Sequence, residues 1–439
     1  MPAARLRPAT LVVGDIEAAR LTCTALELHG ATVAHLLAPS DGELRAALAA
    51  GPGAVAILVR SDVVALRYAL LVAHLRPGVR LMVTMFDRTL ADELQRAVRS
   101  CTVTSPADIA VPAVTGACLG DGVLAVSRQG DDLRAVRDTD DGPRLQTEVP
   151  AAGGVRAILA RARSQLRPHD DASRILLGGL LGLGAILVTD WLLGVLFLHE
   201  GLVASLYGAS RVVATVGPGA DQETSPSWYL VVSSILMLGA IALAAVFTAG
   251  VVNRLLSRRS IALVGRRTLP LEHHVIVVGL GQVGLRLATT LAALGLPVVV
   301  VERDPLPANL AIAKAAGIPV LVGHANERSV LARAGLARAR ALAAMGSRDL
   351  DNVEVAITAR AVAPTIPVVV RAGEDDVIAE TRSLFAIGEV RDVSSLTAAA
   401  VTLALLGHRP DVVYPRGPHV HAFEDGTESR VVLGPRCGC

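Results

Sequence analysis

Two clusters of residues have types and spacing that could do chemistry. The first is Gly279-Leu280-Gly281-Gln282-Val283-Gly284, with Glu302 closing the next apolar run. In such a motif the first glycine makes a tight turn, the second admits a pyrophosphate to a helix N-terminus, and the third lets helix and strand pack closely. The second cluster is Thr215-Val216-Gly217-Pro218-Gly219-Ala220-Asp221. Glycines alternating with Thr and Val allow unusual dihedrals that turn successive carbonyl oxygens toward one narrow lumen, where they can replace a cation's hydration shell. An ordinary Gly/Pro loop between two helices is the plainer reading of the same residues.

Each cluster needs elements to position it. Residues 273–279 form a short apolar run that reads as a buried strand; the glycine motif follows, then a helical pattern over 285–294 and a second strand over 298–301 that ends at Glu302. In that setting the motif is a specific signal. A carboxylate at Glu302 can accept hydrogen bonds from ribose hydroxyls, which favours NAD(H) or an adenine nucleotide such as ATP or ADP over NADP(H), although Arg303 beside it weakens the preference. Alternation continues with strands at 320–322, 341–345 and 368–371 and helices at 328–334, 351–361, 376–385 and 394–406. The expectation is a doubly wound parallel sheet with the nucleotide above the carboxyl ends of its strands. No Cys/His/Asp or Ser/Tyr/Lys constellation accompanies the motif, and the only lysine, Lys314, lies away from it in the pattern. Binding rather than enzymatic catalysis is therefore expected, with hydride transfer as the weakest of the alternatives.

The second cluster sits between residues 175–198 and 228–252, two apolar runs each longer than the roughly 20 residues a helix needs to cross a bilayer. Residues 201–213 between them are too short to cross and suit a re-entrant helix buried among protein neighbours. Five arginines (156, 161, 163, 167, 174) precede the first span and five (254, 258, 259, 266, 267) follow the second, while the connecting loop holds Arg211 alone; the positive-inside rule puts both termini in the cytoplasm of a multi-pass cell-membrane protein. Asp190, inside the first span, should face protein or water. Hydrophobic residues make up 52% of the 439, mean hydropathy is +0.51 and formal net charge is +2. That excludes an ordinary soluble protein and gives no electrostatic reason for a nucleic-acid partner. The five cysteines, in cytosolic segments, are expected to be reduced, and residues 1–8 lack the apolar core of a signal peptide.

The order span, short helix, Thr215-Val216-Gly217, span resembles the pore of two-helix potassium channels, whose filter has Thr-Val-Gly-Tyr-Gly-Asp. The match is at Thr215, Val216, Gly217 and Gly219; Pro218 replaces the aromatic and Ala220 is inserted before Asp221, the remaining residue of the expected filter. Residues 266–406 resemble the RCK, or TrkA-N, domains that regulate potassium channels and transporters, on the glycine motif, Glu302, Gly323-His324-Ala325, residues 349–356 and Val368-Val369-Val370-Arg371. The resemblance implies potassium as permeant ion, a homotetramer embedded in lipid, and nucleotide contacts from Gly279 to Gly284, Glu302, Arg303, His324 and Arg371. The competing reading is a non-conducting, membrane-anchored NAD-binding sensor of a potassium uptake system, favoured by Pro218 and Ala220.

The N-terminal region is a second copy. Val12-Val13-Gly14 aligns with Val277-Val278-Gly279 and Gly30–Val33 with Gly295–Val298; at a second offset Asp62 aligns with Asp349, Ala69 with Ala356, Leu81-Met82-Val83 with Val368-Val369-Val370, and Glu93 with Glu380. Asp15, Ile16 and Ala19 have replaced the cradle, and Leu37 takes the place of Glu302. This copy is expected to pair within the regulatory assembly and not to hold a dinucleotide. The division expected is a degenerate Rossmann-like domain at 1–150, a basic linker at 151–173, the pore module at 174–253, a linker at 254–270, the nucleotide-binding domain at 271–406 and a short, flexible tail at 407–439 with a few strand-like pieces such as 412–414. His419, His421, Cys437 and Cys439 match no standard zinc spacing, so no metal site is expected, and His273-His274 reads as a solvated approach to the first strand.

Overall fold

Valine, isoleucine and alanine in short unbroken runs give strands buried on both faces, the signature of parallel sheets covered by helices. The structure, a computed structural model, describes residues 9–120, 122–129, 132–139, 142–148, 171–217, 226–256, 263–264, 272–304, 308–373 and 388–434. The chain divides into two units: residues 1–160 together with 263–439, and residues 161–262.

The first unit contains both Rossmann copies. The N-terminal half runs β1 (Thr10–Val13), α1 (Glu17–Leu28), β2 (Val33–Leu36), α2 (Asp41–Ala49), β3 (Ala54–Ile57), α3 (Asp62–Leu75), β4 (Arg80–Thr84), α4 (Arg88–Ala97), β5 (Cys101–Thr104), α5 (Pro106–Leu119) and a small antiparallel sheet, β6 (Val123–Gln129), β7 (Asp132–Arg137) and β8 (Arg144–Glu148). Its parallel sheet has the order β2-β1-β3-β4-β5.

The second unit follows in sequence with α6 (Asp171–Leu196), α7 (Leu202–Val213) and α8 (Ser227–Leu256). The chain then returns to the first unit through β9 (Leu263–Val264), β10 (Val275–Val278), α9 (Gln282–Ala293), β11 (Val298–Glu302), α10 (Leu310–Ala315), β12 (Val320–Val322), α11 (Arg328–Arg333), β13 (Ala341–Ala344), α12 (Asp349–Val362), β14 (Val368–Ala372), β15 (Glu389–Asp392) and α13 (Val393–Leu406). The order of this sheet is β15-β14-β13-β10-β11-β12-β9, with β9 antiparallel at the edge.

The internal repeat extends to strand register. Thr10 pairs with Val33 and Ala54 as Val275 pairs with Val298 and Ala341; Val55 pairs with Leu81 as Leu342 with Val368; Met82 pairs with Thr102 as Val369 with Glu389. Two alignment offsets are needed because, after its second strand, the C-terminal half has α10, β12 and α11 where the N-terminal half has α2 alone.

The two halves are joined by exchanging their last helices. On α5, Ala107, Val111, Val114 and Cys118 lie in the core of the C-terminal half with Val277, Leu287 and Leu291. On α13, Val401 and Leu405 lie in the core of the N-terminal half with Val12, Ala19 and Leu58. Ala110 and Ala113 meet Leu396, Ala399 and Leu403 where the two helices touch. Past their first turns both helices are apolar on nearly every face, as helices packed on most sides must be. Each C-terminus is capped by an arginine of the opposite half: Arg340 donates to the Leu119 carbonyl (2.6 Å) and Arg80 to the Leu405 carbonyl (3.2 Å), which satisfies orphan acceptors with a favourable charge.

Beyond α13 the structure departs from the expected flexible tail. β16 (Val412–Arg416), β17 (His419–Glu424) and β18 (Thr427–Val431) form an antiparallel sheet that buries Tyr414 and Phe423 and mirrors β6–β8 of the other half. Asp425-Gly426, both at positive φ (48° and 81°), make the two-residue hairpin turn, and that Asp-Gly pair was the legible signal. Arg416 bonds both Glu428 (3.0 Å) and Asp138 (2.8 Å) of the other half. His274 is a second correction: it is fully buried, its Nε2 lies 2.7 Å from the Ala334 carbonyl, and only His273 of the pair is exposed. Cys23, Cys101 and Cys118 are unbridged and buried, and burial pushes the Cys118 thiol up to about 12.

In the second unit, windows of α6 and α8 are long and apolar enough to cross a membrane, and only 17% and 11% of them is buried within the unit. Small residues set how they pack, with Gly179 against Phe247, Gly182 against Leu243 and Gly239 against Ile186. Asp190 is 2% exposed and shares a hydrogen bond with Tyr229, so its carboxylate faces protein as the sequence required. The helix expected at 376–385, the basic segment at 155–167 and most of the 254–270 linker lie outside the described residues.

Candidate functional site

The carboxyl ends of β10, β11, β12, β13 and β14 open on a cavity of about 770 Å³. Its floor is the loop joining β10 to α9. Gly279 turns the chain at φ +94°, and a Cβ at Gly284 would sit 1.9 Å from the Gly279 carbonyl oxygen, so helix and strand could not close to this distance with any other residue. Around Gly281 no atom stands within 4 Å of a Cβ position. The backbone there is open at the N-terminus of α9, where unpaired N–H groups and the helix dipole attract an anion.

Glu302 ends β11 beside this loop. Its carboxylate accepts from the backbone N–H of Leu280 (2.5 Å), Arg303 (2.7 Å) and Asp304 (3.0 Å). A carboxylate has about four acceptor positions, so one remains for a ribose hydroxyl while the others pin the glycine loop. The sequence placed the acid but not this second task. Of the ten residues expected to touch a nucleotide, Gly279, Leu280, Gly281, Gln282, Val283, Glu302, Arg303, His324 and Arg371 line the cavity; Gly284 does not, and acts through packing. Arg371 donates to the Gly346 carbonyl (3.0 Å), while Arg303 lies 3.6 Å from Asp351.

Several lining residues were not foreseen. Asn309 holds the glycine loop through the Leu280 carbonyl (2.9 Å), and Asn352 both accepts from the Gly346 N–H (2.8 Å) and donates to the Gly346 and Arg371 carbonyls (3.0 and 3.1 Å). Asparagines beyond strand ends were the available signal. No local pattern could have shown that Arg60 and Phe86, from the N-terminal half, also line the cavity. A smaller cavity of about 230 Å³ lies at the degenerate loop, where Asp15, Ile16 and Glu17 face Gly373 and Ser394; Arg60, Phe86 and Arg371 border both cavities.

Arg286, on α9, ties the halves together at this point. It is 9% exposed; its Nε lies 3.0 Å from Asp108, Nη1 donates to Ser105 Oγ (2.7 Å) and Nη2 to the Phe86 carbonyl (3.1 Å). Burial pulls the guanidinium below its ordinary value and Asp108 opposes that pull, leaving a cation whose three contacts are all in the other half.

The second cluster lies in the other unit. After α7 the backbone passes through Thr215 (φ 57°) and Gly217 (φ 110°), with Val216 between them not at positive φ. Threonine is rare in the left-handed region, so this conformation is a strained one. Pro218, Gly219 and Asp221 lie outside the described residues. No group of three or more His, Cys, Asp or Glu side chains that could hold a metal occurs among the described residues.

Comparison with known proteins agrees with this geometry. The TrkA-N domain model matches residues 275–388. An uncharacterized protein of Methanothermus fervidus is 27% identical over 188 residues, covering 42% of this chain and 30% of the relative. Potassium channel protein 1 of Methanocaldococcus jannaschii is 24% identical over 219 residues, covering 48% of this chain and 63% of the relative. The chain thus spans less than two thirds of the length of either curated relative. The crystal structure of the GsuK RCK domain superposes with a TM-score of 0.50 at 14% identity, over 92% of this chain and 78% of that one, a likeness of fold.

Proposed function

We infer the function of this chain from its TrkA-N domain, its similarity to a potassium channel protein and the likeness of its fold to a solved RCK domain. We propose that it is a subunit of a potassium, or monovalent cation, channel whose opening responds to NAD(H) or an adenine nucleotide bound at the glycine cradle. Four copies surround the pore axis, since one copy supplies a quarter of a filter. Both termini face the cytoplasm.

The observation that carries this reading is the coexistence in one chain of an open glycine cradle with its acid and a short helix between two apolar helices that ends in Thr215-Val216-Gly217. The alternation of φ sign across those three residues supports the filter, because residues of opposite handedness turn successive carbonyls to the same side. Binding of the nucleotide changes the angle between the two Rossmann halves, and residues 254–270 convey the change to α8. A ligand biases such a gate only through its different affinity for open and closed states.

Single-channel recording in planar bilayers with and without NAD(H) or ATP tests the coupling; an open probability unmoved by saturating ligand rules it out. Pro218, where the filter has an aromatic, favours the second reading of a non-conducting nucleotide sensor. Potassium flux into liposomes separates the two, and its absence removes conduction.

A further inference from the structure

We propose that Asp351 is a positioning residue for ligand choice: it draws the Arg303 guanidinium across the glycine cradle, away from the ribose beside Glu302, and so withholds from a 2′-phosphate the cation next to it. The site thereby takes NAD(H) and discriminates against NADP(H). The proposal rests on the nucleotide-binding reading above and adds to it how the ligand class is set.

The two residues that end β11 pull in opposite directions. Glu302 suits a ribose hydroxyl and repels a phosphate at that place, whereas an arginine nearby is the residue that accommodates such a phosphate. The position of the guanidinium resolves the conflict. In the sheet β10 lies between β13 and β11, so the loops after β11 and β13 stand on either side of the glycine loop. Arg303 belongs to the first of these flanks, and Asp351, in the first turn of α12, to the second. Their contact, Arg303 Nη1 to Asp351 Oδ2 at 3.6 Å, therefore joins the two flanks of the cradle, and both residues line the 770 Å³ cavity.

Both ends of this bridge are held. Arg348 meets the same Asp351 Oδ2 through Nε (3.0 Å) and Nη2 (2.7 Å), a pair three residues apart that fixes the carboxylate at the start of α12. On the other flank Glu302 accepts from the Arg303 N–H and the Leu280 N–H, which sets the direction in which Arg303 leaves its strand. With Glu302 committed to these backbone donors, a 2′-phosphate gains a counter-charge there only by taking Arg303 from Asp351. The bridge is solvent-accessible, so the preference it adds to the charge of Glu302 is a modest one.

The test uses the full chain in detergent or nanodiscs, titrated calorimetrically with NADH and with NADPH, and reads the ratio of the two dissociation constants. The ligands differ only at the 2′ position, so whatever the release of Arg348 does to the rest of the ligand cancels in the ratio. The parent should favour NADH about 10-fold or more, Asp351→Asn should narrow that ratio about 5-fold by tightening NADPH, and Asp351→Asn combined with Arg303→Gln should restore the parental ratio. An unchanged ratio in Asp351→Asn overturns the proposal. So does a narrowing that persists in the double variant, which would assign the effect of Asp351 to its own charge and not to Arg303, and so does a parent that binds the two ligands equally. If the parent binds neither, the nucleotide reading fails first and this inference with it; if Gly281→Asp leaves NADH binding intact, the titrated site is not the cradle and the inference is likewise overturned.

Discussion

The two Rossmann halves of the first unit have the same strand register and swap equivalent helices, yet only one has a nucleotide cradle. At the first turn of α1 the N-terminal half has Asp15, Ile16 and Ala19 where the other has Leu280, Gly281 and Gly284, and Leu37 where the other has Glu302. The cavity above it has shrunk to about 230 Å³ against 770 Å³. Even the pin on the loop differs: the Gly14 carbonyl meets His35 Nε2 (2.8 Å), whereas the Leu280 N–H meets Glu302. Packing across sheets and exchanged helices depends on many apolar side chains and survives drift, while phosphate binding depends on a few positions where one added Cβ is decisive. Fold and site are therefore under separate physical control.

The largest effect that separates the halves is expected at the third glycine. Gly284→Ala puts a Cβ 1.9 Å from the Gly279 carbonyl oxygen, a backbone atom that cannot step aside. It should cost about 3 kcal/mol of stability and abolish ADP binding by calorimetry. The reciprocal change, Ala19→Gly, adds backbone freedom near the start of α1, costs about 1 kcal/mol or less and creates no nucleotide site, since Asp15 and Leu37 remain. If Gly284→Ala bound ADP normally, the two loops would be equivalent and the contrast between halves would fail.

How much of this was legible follows the same division. The strands, the glycine cradle, Glu302 and the repeat could be read because each is a local pattern or a self-comparison. The tasks of Arg286, Arg340 and Arg80 were not legible, since each side chain works in the opposite half, at a distance in sequence that no periodicity encodes. Glu302 was placed correctly but given one role, because its backbone partners depend on loop closure. His274 looked solvated beside His273, and only the strand that follows, together with the turn near Ala334, buries it. In the 408–434 segment the strand-like piece at 412–414 was legible and became β16, but its pairing into a sheet was missed because the strands are short and the Asp-Gly turn was passed over.

Next in size is the fastening between halves. Arg286→Ala removes three contacts from a side chain that is 10% exposed and leaves Asp108, at 45%, with the exposed Arg88 (3.2 Å) as its partner. A loss of about 2 kcal/mol is expected in denaturant unfolding of the full chain. Hydrogen exchange should rise in both halves together, because α5 and α13 are shared; protection lost in one half alone would show that they fold independently. Smaller still is a matched pair. Asp62 accepts from the Phe86 and Asp87 N–H groups, and its counterpart Asp349 accepts from the Gly373 N–H (3.1 Å), equivalent to Phe86 in the repeat. Asp62→Asn and Asp349→Asn should each cost about 1 kcal/mol. Only the first should also weaken ADP binding, because Phe86 lines the cavity at the glycine cradle.

The smallest contrast is in pH dependence. Burial holds the His274 imidazole below its ordinary 6.5, helped by Arg338 and His273 and opposed by its bond to the Ala334 carbonyl. The equivalent position before β1 is Ala9, which does not titrate. Burial also lowers His421, against the pull of Glu428 3.0 Å away. When the folded state holds a histidine neutral, the unfolded chain binds the extra proton, so the stabilisation is complete above about pH 6.5 and declines as pH falls below it. Melting followed between pH 8 and pH 5 should thus show acid destabilisation that exchange data place at β10 and β17, not at β1. His274→Gln should lower stability at pH 8 but flatten that slope, leaving the part due to His421. A slope unchanged by His274→Gln would assign the acid sensitivity elsewhere and remove this difference between the halves.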